Sequence, residues 1–173
     1  MLPKANTVER TRLITWEDPM ISVKAAQAMS GFDFLKSIAD GTLPPPPISV
    51  LMNMEIAEVE EGRVVFRVEP AEYHYNPLGA VHGGLAATLV DSAMTCAITS
   101  AAPAGMTYTT IELHVNYIRP ITTETGRIRC IGEVIHVGRR VATAEAKILD
   151  TNDKLYAHAT TTCLAIQLNQ NNR

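Results

Sequence analysis

Between residues 83 and 102 the apolar side chains Leu85, Ala86, Leu89, Val90, Ala93, Met94, Ala97 and Ile98 fall around most of a helical wheel. That spacing predicts a long helix covered on nearly all sides. Its single ionisable group is Asp91. A carboxylate in such a setting is at least partly buried and costs free energy unless it is paired or hydrogen-bonded. Asp91 is therefore either a structural acceptor or a group held for chemistry.

Elsewhere the pattern shortens to a period of two. Residues 48–59 and 63–68, separated by Glu60-Glu61-Gly62, predict two antiparallel strands joined by a turn. After the helix, residues 107–119, 126–137, 141–150 and 154–166 predict four more strands, the first ended by Pro120. Gly138-Arg139-Arg140 and Thr151-Asn152-Asp153 are short, polar connections, so hairpins are the economical reading. Ala142, Ala144, Ala146 and Ile148 share one side of their strand, and Leu155, Ala157, Ala159, Thr161 and Cys163 share one side of the next. An Ala-rich helix can lie close against such a band of small side chains. The expected architecture is α+β: one long central helix wrapped by a single curved antiparallel sheet, in the order β-β-α-β-β-β-β. Its open edge strands invite pairing with a second copy, which makes a homodimer the default expectation.

Upstream, residues 1–29 show no clear period. Ser30 followed by Phe34, Leu35, Ile38 and Gly41 predicts a short appended helix with an N-terminal cap and a glycine stop. Pro44 to Pro47 lack backbone donors and predict an extended, stiff connector. The chain divides into an N-terminal extension (1–47), a main domain (48–166) and a polar tail (167–173) expected to fray.

Composition narrows the partners. At 173 residues and 46% apolar content the chain can bury one good core. A net charge of -3 leaves no broad basic surface, which argues against nucleic acid and leaves any anion to a few local groups. Cys96, Cys130 and Cys163 are odd in number and far apart, and the first residues hold no apolar signal segment, so a cytoplasmic protein with reduced thiols is expected. The most apolar stretch is Ala-rich and interrupted by Asp91, so no membrane partner is expected. His74, His114, His136 and His158 show no metal-ligand spacing, and no metal is expected. Neither a Gly-x-Ser-x-Gly elbow nor dinucleotide or P-loop glycines occur, and no cofactor is expected.

The chemistry concentrates at the helix start. Gly83 and Gly84 leave backbone N–H groups unblocked in a first turn that also carries the positive end of the helix dipole. That is a place for a carbonyl oxygen gaining negative charge, where one aimed donor lowers an acyl-transfer barrier by about 3 to 4 kcal/mol.

The run Asn76-Pro-Leu-Gly-Ala-Val-His82-Gly83-Gly84, followed by Asp91 in Leu-Val-Asp-Ser-Ala-Met, resembles the hotdog-fold acyl-CoA thioesterases of the phenylacetyl-CoA thioesterase (PaaI-like) group. Phe34-Leu-Lys-Ser-Ile with the proline run, Tyr117-Ile-Arg-Pro120, Gly138-Arg139-Arg140 and the stretch from Ala157 to Cys163 extend the likeness over residues 31–166. The resemblance implies hydrolysis of an aryl- or medium-chain acyl-CoA to free acid and CoA, without a cofactor, in a homodimer or homotetramer. It implies paired central helices and sites built from both chains. Spacing agrees: Asp91 lies two turns beyond Gly84, about 10 Å along the axis, too far for one substrate carbonyl to touch both. Asp91 would act as general base or as a nucleophile forming a transient anhydride. By the same likeness Asn76 would orient the attacking water or the thioester, and His82 would shape the loop or contact substrate. Thr110 would be the site hydroxyl. Thr88 and Thr95 flank Asp91 at i−3 and i+4 and could orient it or its water. Tyr117, Gly138, Arg139 and Arg140 would face the nucleotide end of the ligand. The alternatives are a hotdog hydratase or dehydratase, whose usual His-Phe-Pro-Gly or paired Asp and His patterns are missing here, and a non-catalytic acyl-CoA binding or sensing module.

Overall fold

The band of small side chains decides how the molecule is built. A computed structural model describes residues 8–168, and in it the central helix α4 (Gly83–Ser100) lies across the inner face of a six-stranded antiparallel sheet. The strands are β1 (Met54–Glu60), β2 (Arg63–Val68), β3 (Met106–Tyr117), β4 (Ile128–Val137), β5 (Val141–Leu149) and β6 (Leu155–Gln167). Their order in the sheet is β1-β2-β4-β5-β6-β3. Ala142, Ala144, Ala146 and Ile148 are buried beneath the helix, as are Ala157, Ala159, Thr161 and Cys163. Contact is closest at Gly132 of β4, where a Cβ atom would stand 2.3 Å from the Ala93 carbonyl oxygen. Any side chain there would push the helix off the sheet.

The helix is less completely wrapped than its apolar content predicts. Leu85, Ala86, Leu89, Val90, Ala93, Met94, Ala97 and Ile98 are buried. Gly84, Ala87, Thr88, Asp91, Ser92, Thr95 and Cys96 stay half-exposed and form one stripe at helical spacing. No helix among the described residues is long and apolar enough to cross a membrane.

The N-terminal part differs from its sequence reading in three places. The stretch without a clear period contains α1 (Met20–Ala28), which buries no residue and so has no need of an apolar face. Ser30 caps α2 (Gly31–Ala39) by accepting the Asp33 N–H at 3.1 Å, as expected. This helix is more than an appendage. Leu35 joins the main core, and Gly31 approaches so closely that a Cβ would stand 1.7 Å from the Thr99 carbonyl oxygen. Finally, residues 47–52, read as connector and strand, form α3 (Pro47–Met52), which Asn53 ends in a left-handed conformation (φ 55°). Proline suits the first position of a helix, where its missing N–H would be unsatisfied anyway. In the polar tail, Gln167 ends β6 and the Leu168 N–H bonds the Gly105 carbonyl at 2.8 Å, while residues 169–173 lie outside the described residues.

The sheet has two unlike edges. On β1, Glu55, Glu58 and Glu60 pair with Arg67 and Arg63 of β2. On β3, Ile111 and Tyr117 are more than half exposed, and the strand carries no ion pair among the described residues.

Candidate active site

The loop leading into α4 is fixed by its own backbone together with the side chains of Asn76 and His82. A 3-10 turn (Glu72–His74) is followed by a bridge between Tyr75 and Val81. Within that bridge the Asn76 side-chain oxygen accepts the N–H groups of Leu78 (2.8 Å) and Ala80 (3.3 Å). The His82 N–H then donates to the His74 carbonyl at 2.7 Å, which sets the direction of entry into the helix. His82 is the N-cap, its Nδ1 accepting the Gly84 N–H at 2.9 Å. Gly84 makes this possible, since a Cβ there would stand 2.9 Å from that same Nδ1.

With Gly84 satisfied, the Gly83 N–H forms no hydrogen bond among the described residues. The Tyr117 ring lies against Gly83 so that a Cβ would meet it at 3.2 Å, and the Tyr117 hydroxyl donates to the Gly83 carbonyl at 3.2 Å. A cleft of about 350 Å³ opens here, with Asn76, His82, Gly83, Tyr117 and Arg119 among its lining. Arg119 was not singled out from sequence, although it stands inside the Tyr117-Ile-Arg-Pro120 run. Its guanidinium donates to the Leu155 carbonyl, and among the described residues no other arginine or lysine lines the cleft.

Asp91 is not in this cleft. It sits on the half-exposed stripe, eight residues and about 12 Å further along the axis. Thr110 donates to its Oδ1 at 2.7 Å, and the Thr95 hydroxyl stands 3.1 Å behind that of Thr110, so Thr110 alone touches the carboxylate and Thr95 backs it. Thr88 does not join them, since its hydroxyl donates to the Gly84 carbonyl at 2.9 Å. Although Cys96 is half-exposed as a residue, loss of hydration at its thiol, with the Asp91 charge adding to it, pushes that thiol up to about 12, which disfavours nucleophilic work.

Within one protomer the structure thus brings Asn76, His82, Gly83 and Tyr117 together, and separately Asp91, Thr110 and Thr95. Gly138, Arg139 and Arg140 stand apart from the cleft. The Arg140 carbonyl accepts the Ala165 N–H at 3.0 Å, whereas Tyr117 pairs with Ala157. Eight residues of β6 separate the two levels, about 26 Å at strand rise. Both arginines are exposed and form no ion pair among the described residues. No cluster of metal-ligating side chains occurs among the described residues.

Comparison with known proteins adds chemistry to this geometry. The pattern of the Thioesterase superfamily matches residues 78–157, which hold both parts of the site except Asn76. A 1,4-dihydroxy-2-naphthoyl-CoA hydrolase of Listeria monocytogenes is 27% identical over 104 residues, 60% of this chain and 83% of that one. A Halobacterium salinarum protein provisionally named an esterase is 32% identical over 114 residues, 63% of this chain and 74% of that one. The solved structure of a conserved Pseudomonas aeruginosa protein superposes with a TM-score of 0.65 at 30% identity, covering 69% of this chain and 93% of that one.

Proposed function

Because the chain belongs to the thioesterase superfamily, with the hotdog fold, and is a thioester hydrolase, we propose that it hydrolyses acyl-CoA to a free acid and CoA at sites shared between two protomers. The observation that carries this reading is the separation of two complementary groups along one helix. The unbonded Gly83 N–H and the Thr110-held Asp91 are about 12 Å apart, and only one of them faces the cleft.

A two-fold pairing of β3 edges supplies the missing juxtaposition. If two copies align antiparallel about the middle of β3, Tyr117 of one lies opposite the start of β3 in the other. The first protomer's Gly83 cleft then meets Asp91 of the partner subunit, and the exposed turn of Arg139 and Arg140 comes round from the partner to the same mouth. The β3 edge supports this arrangement: it exposes Ile111 and Tyr117 and carries one acid, Glu112, with no ion pair among the described residues, whereas an edge meant to stay single is usually protected by several charges. A homotetramer would pair two such dimers.

In the proposed reaction the thioester carbonyl oxygen accepts the Gly83 N–H, with the helix dipole behind it. Asp91 of the partner subunit takes a proton from water as the water oxygen attacks the carbonyl carbon. The C–S bond then breaks, CoA thiolate leaves and is protonated, and the acid is released. In the second form of the mechanism Asp91 itself attacks, and water hydrolyses the resulting anhydride. Thr110 fixes the carboxylate, His82 shapes the turn as its cap, and Asn76 holds the loop that frames the cleft. Thr88 borders the acyl path along the stripe, while Arg139 and Arg140 take the nucleotide phosphates. The Listeria relative acts on an aryl-CoA by its name, which supports an aryl acyl group here alongside a medium chain. Three free cysteines fit a cytoplasmic setting.

A thiol-release screen over aromatic and aliphatic acyl-CoAs tests the proposal. Wild type is expected to release CoA from at least one member, and Asp91→Asn from none while still binding CoA. Failure of wild type on the whole panel would favour an acyl-CoA binding module. Hydration of an enoyl-CoA without thiol release would favour a hydratase.

A further inference from the structure

The arm preceding α1 is extended and almost wholly exposed, with two exceptions: between residues 8 and 20 only Arg12 and Ile14 are half-buried. Arg12 is held on three sides. Its two terminal nitrogens donate to the carbonyls of Leu51 (2.9 Å) and Val50 (2.8 Å), at the C-terminal end of α3, where helix carbonyls lack internal partners. The same guanidinium plane sits 4.1 Å from the centre of the Tyr73 ring. Planar stacking combined with a two-pronged donation is a role arginine fills and lysine does not.

What Arg12 clamps is the turn that aims the helix. The Tyr73 ring packs edge-on against His74, their centres 4.3 Å apart. His74 is buried, and its Nδ1 accepts the Ala71 N–H at 3.1 Å. The His74 carbonyl receives the His82 N–H, and His82 Nδ1 receives the Gly84 N–H. An unbroken run of contacts therefore leads from the arm to the first turn of α4, beside the Gly83 donor. We infer that Arg12 is a positioning residue for hydrolysis, locking the turn at Tyr73 and His74 so that the His82 cap holds the Gly83 N–H in line with the substrate carbonyl. Residue 12 lies far outside the stretch that carries the family match.

The inference rests on the acyl-CoA hydrolase reading, and its test separates the two. Arg12→Ala, Arg12→Lys and His82→Ala are compared with wild type by steady-state thiol release and by amide exchange at Gly84, followed by NMR. Arg12→Ala is expected to lower kcat about five-fold with KM within about two-fold, the size of effect a packed network transmits. Gly84 exchange should quicken, and Arg12→Lys should recover only part of both losses. In a His82→Ala background, Arg12→Ala should change kcat by less than about two-fold, because the path is already cut. An unchanged kcat in Arg12→Ala, or an equal drop in both backgrounds, overturns the inference. A wild type that hydrolyses no acyl-CoA sinks the functional reading instead. Gly84 exchange then decides alone: unaltered exchange in Arg12→Ala overturns the clamp, and faster exchange upholds it. If Arg12→Ala fails to fold, Tyr73→Leu removes the stacking partner and is read by the same criteria.

Discussion

Asp150 and Asp91 are two carboxylates of one small domain, and their surroundings differ in kind. Asp150 sits in the β5–β6 turn, where its Oδ1 accepts the N–H groups of Asn152 (2.8 Å) and Lys154 (3.0 Å) and its Oδ2 accepts the Tyr156 hydroxyl (3.3 Å). Those bonds, the Lys154 amide first among them, hold its pKa below the ordinary carboxylate range. Asp91 has one partner among the described residues, Thr110, and lies on the side of α4 that the sheet leaves open. A carboxylate whose acceptor sites are filled by backbone is part of the fold. One with acceptor capacity to spare, facing an open stripe, has room for a water and its proton.

The sharpest way to break that comparison is to remove each charge in turn. Asp91→Asn is expected to lower kcat by about a thousand-fold, within the range for loss of a general base, and to leave the melting temperature nearly unchanged. Asp150→Asn should do the reverse, lowering Tm by several degrees while kcat stays near wild type. Thiol release and calorimetry on both variants read the outcome. A stable, active Asp91→Asn protein would make Asp91 the structural acid after all.

Complementation gives the next largest effect. Gly83→Pro deletes the proposed donor at a helix position that tolerates proline. His82, at φ -61° and ψ 134°, already has the extended backbone that precedes a proline. Gly83→Pro and Asp91→Asn should each be inactive alone. Mixed randomly in dimers, they should recover about one quarter of wild-type kcat, because half the dimers are mixed and each of those has one intact site of two. No recovery would place both groups in the same protomer's site.

Much of this was legible in the chain because small residues leave an unmistakable pattern. Ala142, Ala144 and Ala146 announced where the helix would rest, and Gly83-Gly84 announced its start. Other features left no periodic trace. A six-residue helix such as α3 is too short to display a 3.6 period, and Ile48 with Val50 reads equally well as a strand. The open stripe on α4 was hidden because Ala87 and Cys96 look as apolar as their buried neighbours. His82 was expected to shape the loop, but not as the cap itself, because imidazole is an unusual N-cap, workable here because Gly84 has no side chain in the way. Thr110 came from family likeness. Its bond to Asp91 depends on how β3 lies beside α4, a tertiary fact that no local pattern encodes.

A smaller effect concerns the arginine turn, which should contribute to binding rather than to the chemical step. Replacing Arg139 and Arg140 together by Ala is expected to raise KM for acyl-CoA several-fold with kcat little changed. A short synthetic thioester lacking the nucleotide should show no difference between variant and wild type. Equal effects on both substrates would detach this turn from CoA and weaken the shared-site geometry that brings it to the partner's cleft.

The smallest effect follows from pH and sharpens what belongs to the fold. Burial lowers the His74 pKa. The nearby Met52 carbonyl opposes this without forming a hydrogen bond to Nε2, and the Arg12 guanidinium reinforces it. A histidine that titrates lower folded than unfolded binds fewer protons in the native state, so its stabilising contribution is whole above about pH 6.5 and is lost as pH falls through the lowered value. Asp150 behaves alike further down: its contribution is whole above its unfolded pKa of about 3.8 and disappears as pH drops through the depressed folded one. Tm measured against pH should therefore decline in two limbs. His74→Asn keeps an acceptor near the Nδ1 position and cannot protonate, so it should flatten the limb just below neutrality and leave the acidic one. Asp150→Asn should flatten the acidic limb alone. If instead His74→Asn leaves the upper limb intact, the turn beside the His82 cap is not held by a neutral imidazole, and the route from Arg12 to the helix start loses its middle link.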